Sequence, residues 1–581
     1  ATIEAWKKVE DDIESSLKKG LLPSDNALQV MMNSGARASA QQIRKMFATI
    51  GIGMDVSKNI LDPIKHSHFD GLSPQDYYTL GRDSRKGIYD RAVSTAEPGA
   101  LTRDVWAAVQ DLSITEKDCK TREFINLKKG DKTIVGRYAG KDILSKKGQV
   151  ICKRNQMITH EIFDKIYRDD TVAYVPVRST LRCKTPNGKC QMCYGAMAGT
   201  LQPAKIGTAV GVIASQALGE PVTQMTMNTF HTGGANSAAT LGLPRIENLL
   251  DLSKNPSNKA VLAQQSGTVT DIVETPTDVT VFIGKKKHVI NKTLGSMNVN
   301  LKVKQGDIVS KGDFLTYGDN SDIVSAMSDD NKTTMVLSNA DPKDLFKLKT
   351  ESQGQDKALK YTRDYLSDSM QYAIQKSDAY MDRRHSEMIV SKLTGTGKVI
   401  DAGDSPYLKG QKADINLFER WNKENCTGTK VKEISPANSQ ELVGRTVAME
   451  IGGAGKVLLR KGQVITPEYL PILSKYPANI KVMMKPIKYE VILQGKGSAS
   501  TSGEWFSNLA GTRGVGDPLS SGAMMGSVDN MQDPRSRLMA GKMINTGEAV
   551  ELKDEFKDKL PNKMSNFFSS KMDDWTKTYK K

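Results

Sequence analysis

The sequence predicts a multidomain protein of the α+β class, and three observations support that prediction. With 581 residues, the chain is long enough for several domains. Segments with a helical period, such as 2–22 and 69–103, are interspersed with short β-branched runs and glycine turns, as in 260–320 and 385–490. Three closely spaced cysteines add a metal-binding segment. We therefore expect long helices, small β-rich modules and a zinc-bound segment in one chain.

The composition is that of a globular protein with an excess of basic residues. Hydrophobic residues account for 38% and charged residues for 25% of the chain, which argues against disorder. The 82 Lys and Arg residues exceed the 66 Asp and Glu residues by 16, and this excess favours nucleic acid through counterion release. Neither a signal peptide nor a run of roughly 20 apolar residues is found. We expect an intracellular protein without a membrane partner.

Segment 69–103 is predicted to form a long helix. Its basic residues lie on one flank and its small residues near its end, which is typical of an amphipathic core helix when taken alone. Pro98 departs from this pattern, because a proline inside a helix removes one hydrogen bond and tends to kink the axis. The sequence therefore does not decide how the helix continues beyond Pro98.

Segment 206–244 has the least ordinary composition in the chain. Proline is favoured at the first position of a helix, so Pro221 predicts a helix start, and the Gly-Gly pair at 233–234 predicts its end. A second helix is predicted to start at 242–244. Taken alone, the first of these helices indicates a surface helix with a hydrogen-bonded histidine. Gln224, Asn228 and His231 share one face of this helix, with Met227 beside them. That face is polar but carries no full charge.

A C-x6-C-x2-C pattern predicts a metal site at Cys183, Cys190 and Cys193. The intervening Thr-Pro-Asn-Gly segment is a turn that lets the thiolates converge on one Zn²⁺ ion. The fourth ligand must come from a distant part of the chain, and either Cys119 or Cys152 fits. Four thiolates leave no open coordination position, so the site is expected to be structural. Six cysteines in all are too few for a disulfide framework.

A short pattern that occurs twice predicts a duplicated β module. The Val-Gly-Arg sequence at 135–137 is followed by Lys-Gly-Gln-Val-Ile at 147–151. The same two elements occur at 443–445 and 461–465. Glycine at a turn between β-branched runs is typical of a small hairpin.

The ordered motifs at 211–214, 219–221 and 224–234 resemble the trigger loop of the largest (β′) subunit of multisubunit RNA polymerases. The resemblance spans nearly all of the chain and includes a segment at 30–46 that is similar to the one bracing the polymerase active centre. In that family the trigger loop folds into two helices over the incoming nucleoside triphosphate. The catalytic roles that the resemblance implies fall on four residues: His231 at the phosphates, Met227 on the base, Gln224 near the sugar, and Asn228 where bacterial enzymes usually carry an arginine.

Segment 69–110 resembles the bridge helix, which crosses the polymerase cleft. The resemblance implies contact with the template at Thr95 and Ala96. It also implies contact with the nucleic-acid backbone at three basic residues: Arg85, Lys86 and Arg103.

The resemblance also selects the fourth cysteine of the metal site. The family uses a cysteine in a T-E-x-D-C context, which here is the segment 115–119. The implied zinc ligands are therefore Cys119, Cys183, Cys190 and Cys193.

By resemblance, the chain divides into eight segments. These are an N-terminal helical region bracing the active centre (1–68), the bridge helix (69–110), a β module with the zinc-binding segment (111–205), the trigger loop and helices (206–255), a jaw-like β region with helices (256–390), a β-rich module (391–490), a region like the clamp base and switch (491–550), and a charged tail (551–581).

The aspartates that would bind catalytic Mg²⁺ are not found in this sequence. Nucleotidyl transfer uses paired Mg²⁺ ions held by clustered carboxylates, and the family's N-A-D-F-D-G-D run does not occur in the 581 residues. The resemblance thus implies the C-terminal half of a split β′ subunit, most like those of giant bacteriophages. The Mg²⁺ ligands are then expected on a partner chain.

The implied function is DNA-dependent RNA synthesis by a complex in which this chain is not active alone. The expected partners are an N-terminal β′-like chain with the aspartate triad, one or more β-like chains, a specificity factor if one is needed, DNA template, RNA product and nucleoside triphosphates. The expected location is the host cytoplasm or the virion. The alternative is a non-catalytic, zinc-containing scaffold that binds nucleic acid, and Asn228 and Pro98 favour it.

Overall fold

A computed structural model describes most of the chain. The described residues are 2–20, 22–23, 25–35, 38–57, 59–89, 92, 96–145, 148–228, 243–252, 259–275, 278–291, 301–316, 339–376, 379–426, 430–453, 456–501, 516–524, 526, 529, 531 and 534–541. The chain forms two compact units, the first from Ala1–Val105 and Ser215–Ser386 and the second from Trp106–Ala214 and Glu387–Lys581. Helices and strands occur in both, which confirms the α+β class.

The helices are described in chain order. They are α1 (Thr2–Lys18), α2 (Ala27–Ser34), α3 (Ala40–Phe47), α4 (Pro74–Tyr89), α5 (Ala96–Val109), α6 (His160–Arg168), α7 (Gln191–Tyr194), α8 (Val210–Asn228), α9 (Leu243–Asp251), α10 (Pro342–Gln353), α11 (Gln355–Lys376), α12 (Arg383–Leu393), α13 (Ile415–Cys426), α14 (Leu470–Leu473), α15 (Lys496–Ser500), α16 (Gly516–Met524) and α17 (Pro534–Met539). Within the described residues, no helix is both long enough and apolar enough to cross a membrane.

The strands are short and form small sheets. They are β1 (Ile114–Glu116), β2 (Ile125–Lys128), β3 (Ile143–Leu144), β4 (Val150–Cys152), β5 (Tyr174–Val177), β6 (Lys189–Cys190), β7 (Gly267–Glu274), β8 (Asp278–Ile283), β9 (Lys286–Asn291), β10 (Ile308–Val309), β11 (Thr396–Asp401), β12 (Lys412–Asp414), β13 (Val431–Ile434), β14 (Ile451–Gly453), β15 (Lys456–Leu459), β16 (Ile480–Met483) and β17 (Lys488–Ile492). The larger sheets have the orders β10-β7-β8-β9 and β12-β11-β17. The pair β1-β6 is parallel, and the other strand pairs described are antiparallel.

The N-terminal helices of the first unit surround a buried arginine. Arg44 of α3 is 2% exposed, and its Nε lies 3.0 Å from Oε1 of Glu14 in α1. Its Nη1 donates to the backbone carbonyls of Thr49 and Ile50, both at 3.1 Å. The guanidinium therefore joins α1 to the turn that follows α3.

The glycine turns predicted for segment 260–320 are confirmed. Gly284, Gly306 and Gly312 have φ values of 57°, 92° and 85°, which glycine adopts without the steric cost of a Cβ. Around these turns, apolar side chains of β7 to β10 form a core that includes Val269, Val281 and Ile283. The helices predicted within 256–390 are also present, and α10 and α11 meet at Gly354.

Two modules in the second unit repeat the same order and pairing of elements. In the first module, residues 125–178, β2 pairs with β5, and the hairpin β3-β4 and α6 come between them in sequence. In the second module, residues 431–483, β13 pairs with β16, and the hairpin β14-β15 and α14 come between them. Each module has its own apolar core. The predicted duplication is thus present.

The register of the duplication differs from the predicted one in its second half. The N–H of Gly136 donates to the carbonyl of Ile158 at 2.8 Å, and the N–H of Gly444 donates to the carbonyl of Ile465 at 2.8 Å. The segments 135–137 and 443–445 are therefore equivalent, but 461–465 corresponds to 154–158. The prediction that it corresponds to 147–151 was wrong.

The wrong register has a physical cause. Gly148 has φ 73° in the turn before β4, and Gly462 has φ 86° in the turn after β15. A Lys-Gly sequence suits either turn, because both need positive φ. In the first module the position of Gly462 is taken by Asn155, whose φ is 62°. Asparagine tolerates this conformation better than most residues, so the equivalence is hidden in the sequence.

Pro221 does not begin a helix as predicted, because α8 begins eleven residues earlier and continues through it. Proline inside a helix costs about 3 kcal/mol. That cost is outweighed by an apolar face that runs without interruption along the helix, with buried side chains at the following positions: Val210, Ala214, Leu218, Val222 and Met225. The hydroxyl of Thr223 donates to the carbonyl of Gly219 at 2.8 Å, next to the proline.

The predicted long helix at 69–103 is described as two helices, α4 and α5. Residues 90, 91 and 93–95 between them lie outside the described residues. Pro98 is buried in the first described turn of α5. Its carbonyl accepts from the Thr102 hydroxyl at 2.8 Å.

Candidate metal centre and active-centre helices

The four predicted cysteine ligands reach one point from three stretches of the second unit. Cys119 follows β1, and Cys183 follows a single 3-10 turn. Cys190 ends β6, and Cys193 lies in the short helix α7 directly after it. The parallel pairing of β1 with β6 places Glu116 opposite Cys190, and this pairing brings Cys119 to the cluster.

The sulfur atoms are arranged as a compact cluster. All four Sγ atoms lie within 4.8 Å of one another, and the Sγ atoms of Cys119 and Cys193 are 3.7 Å apart. A tetrahedral Zn²⁺ site with Zn–S bonds of about 2.3 Å has S···S edges of about 3.8 Å. The sulfurs therefore fit one tetrahedral ion without rearrangement of the backbone.

Backbone and side-chain donors orient the thiolates. The N–H of Cys190 donates to Sγ of Cys183, and the N–H of Cys193 donates to Sγ of Cys190, both at 3.4 Å. Oγ1 of Thr185 lies 3.2 Å from Sγ of Cys183 and donates to Oε1 of Glu116 at 2.6 Å. The ligand loop is thereby tied to β1.

Two thiols of the cluster have a lowered pKa, those of Cys119 and Cys183, and two have a raised pKa, those of Cys190 and Cys193. The Cys183 sulfur raises the pKa of Cys119, but hydrogen bonds from Cys190 and Cys193 outweigh it and bring that pKa to about 6. Burial raises the pKa of Cys183, yet hydrogen bonds from the other three thiols hold it well below its usual value. The sulfurs of Cys119 and Cys183 then raise the pKa of Cys190 and of Cys193, because further negative charge is unfavourable there. A divalent cation would release the remaining protons.

Cys152, the alternative fourth ligand, lies elsewhere. Its side chain is part of the apolar core of the first module. Its thiol donates to the carbonyls of Lys153 and Gln156, and burial raises its pKa to about 11. The structure thus places Cys119, and not Cys152, with the other three cysteines, and this set could hold a metal ion.

Two glycines of α8 lie against α5. A Cβ at Gly219 would clash with the side chain of Thr102, and a Cβ at Gly211 would clash with the backbone carbonyl of Val109. The two glycines are eight residues apart and so lie close to one face of α8. The absence of side chains lets the two helices approach closely.

Four of the five residues predicted to contact the template or the nucleic-acid backbone lie on α4 and α5. Arg85 and Arg103 are exposed, Lys86 is half-buried, and Ala96 is exposed at the start of α5. Thr95 lies outside the described residues. The helix α4 has no buried residue among those described, although Asp76, Arg82 and Asp83 contact residues of the preceding segment.

The predicted trigger-loop residues are described only in part. Gln224 is exposed on α8, and its Nε2 donates to the carboxylate of Glu220 one turn earlier. Met227 and Asn228 belong to the last turn of α8, and their side chains lie outside the described residues. His231 also lies outside them. The second predicted helix is present as α9, which begins at Leu243.

Comparison with known proteins decides the family. The model of RNA polymerase Rpb1, domain 5 matches residues 71–444, more than half of the chain, and the model of RNA polymerase Rpb1, domain 4 matches residues 2–77. This chain belongs to the family of the largest subunit of multisubunit RNA polymerases. The two matches meet at the start of α4 and identify the chain with the C-terminal half of that subunit.

Bacterial proteins described as DNA-directed RNA polymerase subunit beta' are similar to this member of the family. The protein of Finegoldia magna is 34% identical over 443 residues, which are 73% of this chain and 34% of that protein. The protein of a Thermoanaerobacter species is 33% identical over 460 residues, which are 77% of this chain and 36% of that protein. The chain thus spans about a third of the length of the curated relatives it matches.

Sequence reasoning missed several residues that shape the site. Arg178 contacts the cysteine cluster, and Gly211 and Gly219 set the approach of α5 to α8. Arg178 had a detectable signal, since an arginine directly after a buried strand and five residues before Cys183 is unusual. The sequence signal of the two glycines is weaker. A glycine inside a helix costs about 1 kcal/mol relative to alanine and so indicates a packing constraint.

Proposed function

We propose that this chain supplies the bridge helix and the trigger loop of a DNA-directed RNA polymerase. The observation that carries the proposal is the unbroken match to Rpb1 domain 5 over 71–444, a range that includes α4, α5, α8 and α9. The close approach of α5 and α8 at two glycines supports the assignment, because a moving trigger helix needs a firm base next to the bridge helix. The net charge of +16 agrees with a nucleic-acid partner.

In this proposal the end of α8 and the residues after it contact the incoming nucleotide. His231 stabilises negative charge on the leaving pyrophosphate, where a positioned donor acts on charge that develops in the transition state. Met227 packs on the base, and Gln224 approaches the sugar. Asn228 donates a hydrogen bond to a phosphate but cannot offset its charge, so this clamp is weaker than one built with arginine.

The bridge helix contacts the template strand and its backbone. Ala96 is exposed and small, which suits a position against a template base, and Thr95 precedes it. Arg85, Lys86 and Arg103 then contact phosphates, and such contacts position the nucleic acid without reading its sequence.

The Mg²⁺ ligands lie outside these 581 residues in this proposal, on an N-terminal β′-like partner chain. The 581 residues contain no N-A-D-F-D-G-D run, and the resemblance to the split subunits of giant bacteriophages is what favours a separate chain. The paired ions would activate the attacking 3′ oxygen and offset phosphate charge when bound. One or more β-like chains complete the complex, in the host cytoplasm or the virion.

The cysteine cluster is proposed to be a closed structural zinc site. Four thiolates leave no position for a substrate, and softness and geometry both favour Zn²⁺. The bound ion would fasten β1, β6 and α7 to one another and so fix the segment between the bridge helix and the trigger loop.

The decisive variant is His231→Ala in the assembled enzyme. Single-nucleotide addition is measured by rapid quench on a template-primer scaffold, with zinc content measured on the same preparation. We expect a slower chemical step and unchanged zinc. His160→Ala, an exposed histidine on α6, is the control and should leave both unchanged. A normal addition rate in His231→Ala would overturn the assignment.

A second experiment separates the polymerase from the scaffold alternative, which Asn228 favours. The chain is purified with its associated proteins from the native host, and the complex is assayed for template-directed RNA synthesis with Mg²⁺. RNA synthesis by a complex whose partner carries the aspartate triad supports the split-subunit proposal. A chain that binds nucleic acid but has no such partner supports the scaffold, and a triad found on a longer form of the same polypeptide overturns the split.

A further inference from the structure

Arg178 is a buried arginine whose guanidinium faces the cysteine cluster. It directly follows β5, and its side chain is 1% exposed. Its Nη2 lies 3.3 Å from Sγ of Cys193, 3.6 Å from Sγ of Cys119 and 3.7 Å from Sγ of Cys190. One nitrogen within reach of three sulfurs must lie over the face of the tetrahedron that those sulfurs define.

The charge of a loaded cluster explains why a cation is needed there. Four thiolates and one divalent ion carry a net charge of −2, and burial of uncompensated charge is costly. Arg178 places its positive charge on the face away from Cys183, where it is shared between the sulfurs and the carboxylate of Asp118. Lys189, which is 6% exposed, directly precedes the ligand Cys190 and is a second buried cation next to the cluster.

The guanidinium is fixed by two further hydrogen bonds. Its Nη1 donates to Oδ1 of Asn155 at 3.0 Å, and its Nη2 donates to Oδ1 of Asp118 at 2.6 Å. Asp118 directly precedes the ligand Cys119, so the arginine joins the end of the first module to the first ligand. Because both terminal nitrogens of the guanidinium are already held, the side chain loses little further conformational freedom when Nη2 also contacts sulfur.

The duplicated module supplies an independent comparison. The N–H of Arg178 donates to the carbonyl of Tyr138, and the N–H of Met483 donates to the carbonyl of Thr446, both at 2.8 Å. Arg178 and Met483 therefore occupy the same position in the two modules. In the described part of the chain, the second module has no cysteine cluster at this strand end. The arginine is found in the module whose strand end meets the thiolates.

We propose that Arg178 is a positioning residue for the metal centre. Its N–H···S hydrogen bonds offset the negative charge of the loaded cluster, which slows release of the ion and lowers the reactivity of the bound thiolates. The role rests on the proposed zinc site and goes beyond it, because it assigns retention of the ion to a residue that does not bind it. Outer partners of metal ligands typically contribute about 10–100-fold to metal affinity.

The test uses the full 581-residue chain loaded with Zn²⁺. Zinc release to a chelating dye is measured for the wild-type protein, Arg178→Met and Arg178→Lys. We expect about 10–100-fold weaker retention in Arg178→Met and a smaller loss in Arg178→Lys, which keeps the charge but not the planar donors. Iodoacetamide should alkylate the loaded Arg178→Met protein faster, because thiolates without N–H donors are more nucleophilic.

Two matched controls separate this role from a loss of structure or of charge alone. Lys184→Ala removes a positive charge next to Cys183, but from a side chain that is 49% exposed. Asn155→Gly removes the Nη1 partner while keeping a residue that accepts positive φ, as Gly462 does in the second module. Lys184→Ala should retain zinc like the wild type. Asn155→Gly should lose less zinc than Arg178→Met, because the contacts of Nη2 with Asp118 and with the sulfurs remain.

Cobalt spectra give a readout that a merely structural role would not change. In the Co²⁺-loaded Arg178→Met protein, the sulfur-to-metal charge-transfer band should move to lower energy while the tetrahedral d–d bands keep their intensity. Loss of the d–d intensity instead, or zinc release at the wild-type rate, would overturn the role of Arg178. A wild-type chain that binds no zinc would overturn the metal centre itself.

Discussion

Arg137 and Glu387 form a bidentate ion pair in which neither side chain has any exposed surface. Nη1 lies 2.9 Å from Oε2 and Nη2 lies 2.9 Å from Oε1, although the two residues are 250 positions apart in the chain. The second module repeats the arrangement, since Arg445 forms a bidentate pair with Asp404 at 2.6 and 2.9 Å. Each arginine also donates its Nε to the carbonyl four residues earlier. The duplication thus includes a bidentate ion pair that joins each module to a segment outside it, which is later in the chain for the first module and earlier for the second.

Replacement of Glu387 by glutamine should strongly destabilise the first module. The variant leaves the buried Arg137 charge without a carboxylate, and breaking a buried pair in this way costs about 3–5 kcal/mol. The free energy of opening is measured by amide hydrogen exchange at β2 and β5, which reports the module separately from the rest of the chain.

The control for this change is Glu433→Gln, which breaks an exposed pair. Glu433 and Lys481 are 3.2 Å apart, but their side chains are 51% and 44% exposed. A loss of no more than about 1 kcal/mol is expected there. Equal effects of the two variants would contradict a special role for the buried pair.

The second module should lose stability at acid pH because of Asp404. Burial alone would raise the pKa of this carboxyl, but Arg445, the N–H of Lys485 and Lys432 outweigh burial and hold the pKa well below its usual value. Since the unfolded chain then binds the proton more readily, the contribution is complete above the unfolded pKa of about 3.9 and falls as pH drops below it.

Urea unfolding of the wild type and of Asp404→Asn from pH 7 to pH 3 checks this expectation. The variant should be less stable at pH 7, and the difference between the two proteins should shrink below about pH 4. The comparison isolates Asp404 from other carboxyls that titrate in this range. A difference that stays constant with pH would argue that the ion pair contributes no pH-dependent stability.

The sequence predicted those features that depend on local chemistry. The turns at Gly284, Gly306 and Gly312 require positive φ, so glycine at these positions predicts the turns. The cysteine pattern at 183–193 predicted a ligand loop for a similar reason, since spacing and turn residues are local. The family was predicted from ordered motifs at 69–103 and 211–234, and the family match confirms that prediction.

Features that depend on distant contacts could not be read in this way. Pro221 indicated a helix start, but packing along the buried face of α8 outweighed the local preference. Glu387 carries no sign in the sequence that its partner lies 250 residues earlier. Asn155 takes the place of a glycine, so the register of the duplicated modules appears only in the backbone hydrogen bonds.

Replacement of Cys119 by serine should abolish zinc binding, whereas Cys152→Ser should leave it intact. Cys119 supplies one of the four clustered sulfurs, and loss of one thiolate weakens a closed tetrahedral site severely. Cys152 lies in an apolar core, so its serine variant should cost stability but not metal. Zinc content after gel filtration is the measurement. Zinc retained in Cys119→Ser and lost in Cys152→Ser would reverse the assignment of the fourth ligand.

Alanine at either glycine between α5 and α8 would cause a clash. The clash at Gly219 can be relieved by a second substitution, whereas the clash at Gly211 cannot. Alanine at Gly219 gains about 1 kcal/mol of helix propensity but meets the Thr102 side chain, and such overpacking costs about 1–3 kcal/mol. The double variant Gly219→Ala with Thr102→Ala removes the clash, so its stability should return to at least the level of Thr102→Ala alone.

Alanine at Gly211 should be tolerated less well, because it meets the backbone carbonyl of Val109, which no side-chain substitution removes. Thermal unfolding of the single and double variants measures stability, and nucleotide addition by the assembled enzyme measures function. If the two helices act together, Gly211→Ala should slow nucleotide addition more than Gly219→Ala does, and the double variant at 219 and 102 should add nucleotides at the rate of Thr102→Ala. Normal addition by a folded Gly211→Ala enzyme would show that the close approach of α5 and α8 serves stability alone.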